Sequence, residues 1–172
     1  MSPLCYDIFD SPIGMLTIVA DTDALCHVMF PSNRHTTQGH EHWHYAPDAM
    51  LLQQARTQLL EYLHGERHTF ALPLRPRGTP FQCAVWHALT EISFGQTWSY
   101  AQLAAHVGRP GASRAVGATN ARNPLPIVLP CHRVIGSNGA LTGFNGGLAT
   151  KHALLCLEGI APTDTHKAVM KS

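Results

Sequence analysis

Residues 98–133 read WSYAQLAAHVGRPGASRAVGATNARNPLPIVLPCHR, a stretch punctuated as two short helices followed by a stiff turn. Ser99 and Gln102 stand at the spacing of a capping box, in which each residue satisfies the other's backbone N–H at a helix start. Leu103, Ala104 and Val107 continue a helical face, and Gly108 ends it. Beyond Arg109-Pro110-Gly111 a second short helix is predicted from Ala112 to about Ala121, so the pair reads as a helix-turn-helix. An ordinary helical hairpin has the same outline. The second helix favours the first reading, because Ala112, Ser113, Ala115, Gly117, Ala118 and Thr119 are too small to fill a core while Arg114 projects from among them. Small side chains let a backbone approach another surface, and an arginine on such a helix reaches into a groove.

The stretch ends on Pro130-Cys131-His132-Arg133, behind the proline-studded apolar run Asn123 to Leu129. A thiol on stiff backbone beside an imidazole is how a chain presents a nucleophile, but a free cysteine pKa of about 8.5 leaves little thiolate at neutral pH. Cys131 therefore needs a base or a positive field, and His132 is the adjacent candidate, acting directly or through a water. Glu158 is independently unusual. It lies in the last helical turn before Gly159, where the helix dipole disfavours a carboxylate by about 0.3–1 kcal/mol. A carboxylate that orients an imidazole, which in turn activates a thiol, is triad logic in cysteine form. On these residues alone Cys131 is either that nucleophile or an inert buried cysteine.

Upstream, Thr79-Pro80-Phe81-Gln82 repeats the capping box with a first-turn proline and opens a helix burying Phe81, Val85, Trp86, Leu89 and Ile92, with a stop near Gly95. The stretch Leu72 to Gly78, rich in proline and arginine, reads as a linker. Before it, Cys5 to Phe9, Leu16 to Ala20 and Leu25 to Phe30 alternate as strands of a small antiparallel sheet, residues 31–46 read as a histidine-rich loop, and a helix is predicted between Pro47 and His64. The expected class is α+β, with an N-terminal domain over 1–74 and a C-terminal domain over 75–172. Charge divides at the same place. Residues 1–74 hold three basic against eight acidic side chains, a net −5, and residues 75–151 hold seven basic against Glu91 alone, a net +6. A basic half containing the thiol suits a polyanion.

The chain has 172 residues and five cysteines, Cys5, Cys26, Cys83, Cys131 and Cys156, with no CxxC spacing. An odd, scattered set fits neither a disulfide framework nor a zinc knuckle, so reduced thiols are expected. No apolar run approaches the roughly 18 residues of a membrane helix and no signal peptide opens the chain, which points to a cytoplasmic protein with no membrane partner. Cys83 and Cys156 are expected in the core, Trp43 in a loop and Trp98 in the core. His40, His42 and His44 alternate as strand ligands to a metal would, but without a clustered carboxylate or cysteine a solvated loop is the expectation.

Ile127 to Gly136, centred on Pro130-Cys131-His132-Arg133, closely resembles the active-site signature of the DNA–protein alkyltransferases that repair O6-alkylguanine. Ser11 to Gly14, Thr79 to Gln82 with Val85-Trp86, Arg114 to Gly117, and Thr142 to Phe144 with Gly146-Gly147 resemble the family elsewhere, so the likeness covers most of the chain. It implies a ribonuclease H-like N-terminal domain and a winged-helix-like C-terminal domain that binds double-stranded DNA. The implied chemistry is a single-turnover transfer of the alkyl group from O6-alkylguanine, and also from O4-alkylthymine, to Cys131 after the nucleotide is flipped through the minor groove. His132, oriented by Glu158, would deprotonate the thiol through a water. Tyr100 would donate to the purine, and Asn123 would tie the helix-turn-helix to the active-site turn. Arg114 would fill the gap left by the base, with Ser113, Ala115, Gly117 and Ala118 near the DNA backbone. Val134, Phe144, Asn145 and Gly146 would line the alkyl pocket, with Phe144 standing where many relatives carry tyrosine. No cofactor is implied, and a monomer is expected, with cooperative binding on DNA left open. Cys5, Cys26 and His27 resemble only part of a zinc site found in some members, so no metal is expected. Two other classes compete: a lesion-binding protein without a reactive thiol, against which Cys131 argues, and a thiol hydrolase or peptidase, which needs no helix-turn-helix.

Overall fold

The alternation of the first thirty residues becomes three antiparallel strands, β1 (Cys5–Phe9), β2 (Leu16–Ala20) and β3 (Leu25–Met29), in a computed structural model that describes residues 3–31 and 42–161. Central β2 has all five residues buried, as a strand covered on both faces must. Helix α1 (Met50–Leu63) packs on one face through Leu52, Ala55, Leu59, Tyr62 and Leu63. Asp7 on that face is buried and meets Arg56 of α1 at 2.5 Å. Across the other face His27, Val19 and Tyr6 align from strand to strand, with the Trp43 ring 6.1 Å from His27 and 6.4 Å from Tyr6.

Two expectations for this half are corrected. A fourth strand, β4 (His44–Tyr45), pairs with β1 in parallel, so the sheet is mixed in the order β3-β2-β1-β4 and the loop predicted over 31–46 ends in a strand. Short polar strands with exposed side chains leave no apolar alternation to read. The linker is also not free. Leu25 donates to the Pro73 carbonyl and accepts from the Arg75 amide, both at 2.8 Å, and the Arg75 guanidinium bonds the Asp21 carboxylate. The first compact unit accordingly runs to Arg77 and the second begins at Gly78.

In the second unit both capping boxes form. Thr79 caps α2 (Pro80–Leu89) with Gln82, and Ser99 caps α3 (Tyr100–His106) with Gln102. Gly108 turns the chain at φ 79°, where a side chain would be strained, and α4 (Ser113–Ala121) follows as the second helix of the pair. Buried Trp86 of α2 donates its indole N–H to the Thr119 carbonyl at 2.9 Å, fixing α4 to α2. The remaining elements are a 3-10 turn over Cys131–Arg133, β6 (Val134–Ile135) and α5 (Leu148–Leu157). Strand β5 (Trp98–Ser99) pairs with β6 in parallel. No helix among the described residues is long and apolar enough to cross a membrane.

Trp98 is only half-buried, its ring 4.9 Å from His106, and Cys83 is likewise half-buried. Cys156 is exposed rather than core, since it lies off the buried stripe of α5 with its sulfur 3.4 Å from His152 Nδ1. His40 lies outside the described residues, and among the described residues no three His, Cys, Asp or Glu side chains converge into a metal-binding group. Removing the Thr79 hydroxyl removes one half of a reciprocal cap. Thr79→Ala should lower stability by about 1 kcal/mol, read as a lower urea midpoint with an unchanged slope.

Candidate active site

The backbone that delivers Cys131 is held by amides. Asn123 donates to the Leu129 carbonyl at 2.7 Å and accepts from the Leu125 N–H at 2.9 Å, closing the proline-rich run on itself. Within that run Ile127 takes φ 76°, a left-handed conformation costly for a β-branched residue. Its neighbours hold it there through the Pro126–Leu129 bridge and the bond from Leu129 N–H to the Leu125 carbonyl. From α4, buried Asn120 donates to the Cys131 carbonyl at 3.2 Å. The helix with the small side chains and the thiol turn are therefore one hydrogen-bonded structure.

Cys131 is 3% exposed. Burial pushes its thiol up to about 11, against opposing pulls from Asn123, from the charge of Lys151 and from the backbone of Cys131 and Ile127. At pH 7 roughly one molecule in ten thousand carries thiolate on that value, so the resting sulfur is protonated. The base stands next to it. His132 is fully buried, and its Nε2 lies 2.8 Å from Glu158 Oε2. Burial would raise the Glu158 carboxyl, but hydrogen bonds from His132, Arg133 and the Gly95 amide override it and hold the group far below the ordinary carboxylate range. An ionised carboxylate only accepts, so Nε2 carries the proton and the lone pair sits on Nδ1. Burial also lowers the imidazole's own pKa despite Glu158, which keeps the ring neutral and able to take a proton.

Two members of this cluster were not legible as site residues in the sequence. Arg133, the last letter of the turn, donates to Glu158 from Nε at 2.9 Å and from Nη2 at 2.9 Å, and to the Ile92 carbonyl at 2.6 Å. Lys151 is wholly buried and donates to the Val134 carbonyl at 2.6 Å and the Thr142 carbonyl at 2.8 Å. Burial brings its ammonium down to about 8, opposed by the charge of an ionised Cys131. A signal for Lys151 existed: residues 151, 154, 155 and 158 follow the i, i+3, i+4, i+7 spacing of one buried helical face, with Leu154 and Leu155 between two charges.

A cavity of about 370 Å³ is lined by Tyr100, Ser113, Arg114, Gly117, Ala118, Thr142 and Gly143. That volume lies within the range of small-ligand sites. Gly117 brings α4 near the Tyr100 ring, where an added Cβ would meet Cδ1 at an ordinary contact distance of 3.5 Å. Burial raises the Tyr100 phenol above its ordinary value, the hydrogen bond to Thr142 opposes the rise, and the charge of an ionised Cys131 would add to it. Five of the residues expected at the site, Tyr100, Ser113, Arg114, Gly117 and Ala118, therefore share one cavity. Exposed Ala115 and buried Val134 do not line it, nor do Phe144, Asn145 and Gly146 in the loop beyond. Thr142 and Gly143 line it instead. With Arg133 and Lys151 buried, the exposed positive charge of residues 78–151 is left to Arg109, Arg114 and Arg122, on and beside α4.

The buried carboxylate carries a pH signature. Ionised Glu158 stabilises the fold at every pH above its unfolded value near 4.5, and that contribution fades as pH falls toward its far lower folded value. Glu158→Gln should cost about 3–5 kcal/mol at neutral pH, because two buried donors lose their charged partner. In urea titrations the gap between wild type and variant should narrow between about pH 5 and pH 3.

Known proteins share both halves of this arrangement. Residues 80–160 match the family described as 6-O-methylguanine DNA methyltransferase, DNA binding domain, and residues 4–76 match its ribonuclease-like domain. A methylated-DNA–protein-cysteine methyltransferase of Methanosarcina acetivorans is 44% identical over 154 residues, covering 90% of this chain and 97% of the relative. A constitutive one of Bacillus subtilis is 44% identical over 155 residues, covering 87% and 92%. Mycobacterium tuberculosis OGT, solved in complex with DNA, matches with a TM-score of 0.83 and 43% identity over 92% of this chain and 96% of that one. Matched in both domains and along nearly the full length of its relatives, this chain belongs to the 6-O-methylguanine DNA methyltransferase family.

Proposed function

We propose that the chain repairs O6-alkylguanine, and also O4-alkylthymine, in double-stranded DNA by one irreversible transfer of the alkyl group to Cys131, acting as a monomer. The observation that carries this reading is the buried thiol turn anchored on Glu158, with a neutral His132 next to Cys131 in the chain. The first unit, through Arg77, serves as a structural domain and the second, from Gly78, as the DNA-binding and acceptor domain.

The damaged nucleotide leaves the stack through the minor groove, because an alkyl group on stacked O6 cannot be reached in line. Arg114 fills the gap, and Ser113, Ala115, Gly117 and Ala118 present a low helix surface to the DNA backbone. The extruded base enters the cavity beside Tyr100, with Val134, Phe144, Asn145 and Gly146 around the alkyl group. The Cys131 proton passes through a water to Nδ1 of His132, and Glu158 stabilises the imidazolium that results. A sulfur–carbon bond forms as the carbon–O6 bond breaks. The electron pair goes to the purine, which Tyr100 steadies with its phenolic O–H. Asn123 keeps the turn in place throughout. The product is an uncharged thioether, and taking the alkyl group off again would mean breaking a carbon–sulfur bond with a thiolate as leaving group, so each chain acts once.

The reactive thiol argues against a purely lesion-binding protein, and a hydrolase would return the thiol instead of keeping the adduct. Incubation with duplex DNA carrying O6-methylguanine should add one methylene-equivalent mass to the peptide containing Cys131, once per chain, by mass spectrometry. An equal adduct on Cys131→Ala, or none on the wild type, would sink the assignment. Arg114→Ala should react with a free alkylated base at the wild-type rate but about tenfold or more slowly with duplex DNA. Equal losses on both substrates would remove Arg114 from the extrusion step.

A further inference from the structure

We propose that Thr142 is a positioning residue for Tyr100, its hydroxyl donating to the tyrosine oxygen so that the phenolic hydrogen is free for the base. This inference rests on the reading of Tyr100 as the donor to the purine.

The two hydroxyls are 2.6 Å apart at the rim of the cavity both residues line. Each group has one hydrogen, and only one of them lies between the oxygens. If Tyr100 donated, its hydrogen would be spent on Thr142 and the ring would face the cavity with lone pairs alone. If Thr142 donates, the Tyr100 oxygen accepts at one lone pair and its own hydrogen points to the ligand. The second arrangement also strengthens as electron density reaches the phenolic oxygen during transfer, since a donor to a partly anionic oxygen gains over a neutral bond. It is therefore worth more in the transition state than in the resting protein.

Thr142 is held for this task. Its carbonyl accepts from Lys151 at 2.8 Å, and the same ammonium binds the Val134 carbonyl at 2.6 Å. One buried cation thus fixes the loop bearing Thr142 to the strand that follows the thiol turn. The same ammonium lies 6.0 Å from the Tyr100 ring centroid. Gly117 of α4 lies near one edge of the ring, where an added Cβ would stand 3.5 Å from Cδ1 and 3.6 Å from Cε1. Tyr100 therefore lies close to α4 and is aimed by Thr142 at its tip. Gly143 and Phe144, next in the loop, carry no hydroxyl, so within this stretch only Thr142 can supply such a donor.

The test is a double-mutant cycle read as the second-order rate of transfer from O6-methylguanine duplex DNA. Thr142→Val keeps the size and removes the hydroxyl, and should slow transfer by about tenfold, the scale of one hydrogen bond. Thr142→Ser should restore the rate to within about threefold. In a Tyr100→Phe background the same Thr142→Val change should have no further effect, because the group it positions is gone. A Thr142→Val rate within twofold of wild type while Tyr100→Phe is slow would overturn the proposal and leave the role of Tyr100 standing. A loss of the same size in the Tyr100→Phe background, or no rescue by serine, would also overturn it, marking Thr142 as a loop residue only. An unaffected Tyr100→Phe would remove the reading on which the proposal rests. Thr142→Ala repeats the cycle if the valine variant does not fold.

Discussion

The Glu158 carboxylate has no contact with solvent, and almost everything in the second unit is arranged to satisfy it. Its two oxygens receive the imidazole of His132, two nitrogens of Arg133 and the Gly95 amide. A charge so placed is tolerable only while its donors are present, and losing one strands the others in a low-dielectric interior. The end of α5, the thiol turn and the loop after α2 must therefore assemble together. Arg133 carries the constraint further by donating to the Ile92 carbonyl. Stability and chemistry share one group, because the carboxylate that holds the turn also sets the tautomer of His132.

That economy bears on the proposed role of Cys131, a deeply buried cysteine. Burial keeps the sulfur protonated in the resting protein, which shields it from adventitious electrophiles. The neutral ring of His132 holds a lone pair on Nδ1 because Nε2 is committed to Glu158. Asn123, Asn120 and the strained Ile127 contribute on the backbone side, since the turn cannot relax without breaking their bonds. The link from Asn120 is notable for its origin in α4, the helix assigned to DNA.

Much of this was readable one element at a time. Both capping boxes, three strands and the small-sided helix follow from side chains acting on their own backbone, and local chemistry of that kind needs no partner to be recognised. Glu158 announced itself by being misplaced at a helix end. Other features had no local signature. Strand β4 is two exposed residues long and exists because β1 offers it an edge. Arg75 belongs with the first unit because Asp21, distant in sequence, lies beside it. Arg133 and Lys151 counted as surface charge in the net balance, yet they are spent internally. The basic character of the second unit's surface therefore rests on fewer arginines than composition suggests.

By itself the sequence determined which residue types are available for reactivity and where helices begin and end, since intrinsic nucleophilicity, capping and hydrophobic period are properties of short segments. Only the tertiary structure decided the protonation pattern around Cys131, the cavity shared by Tyr100 and α4, and the grip of Lys151 on two separate loops. Those depend on burial and on distances between residues far apart in the chain. Burial sets a pKa and packing sets a cavity, and neither quantity exists until the elements have come together.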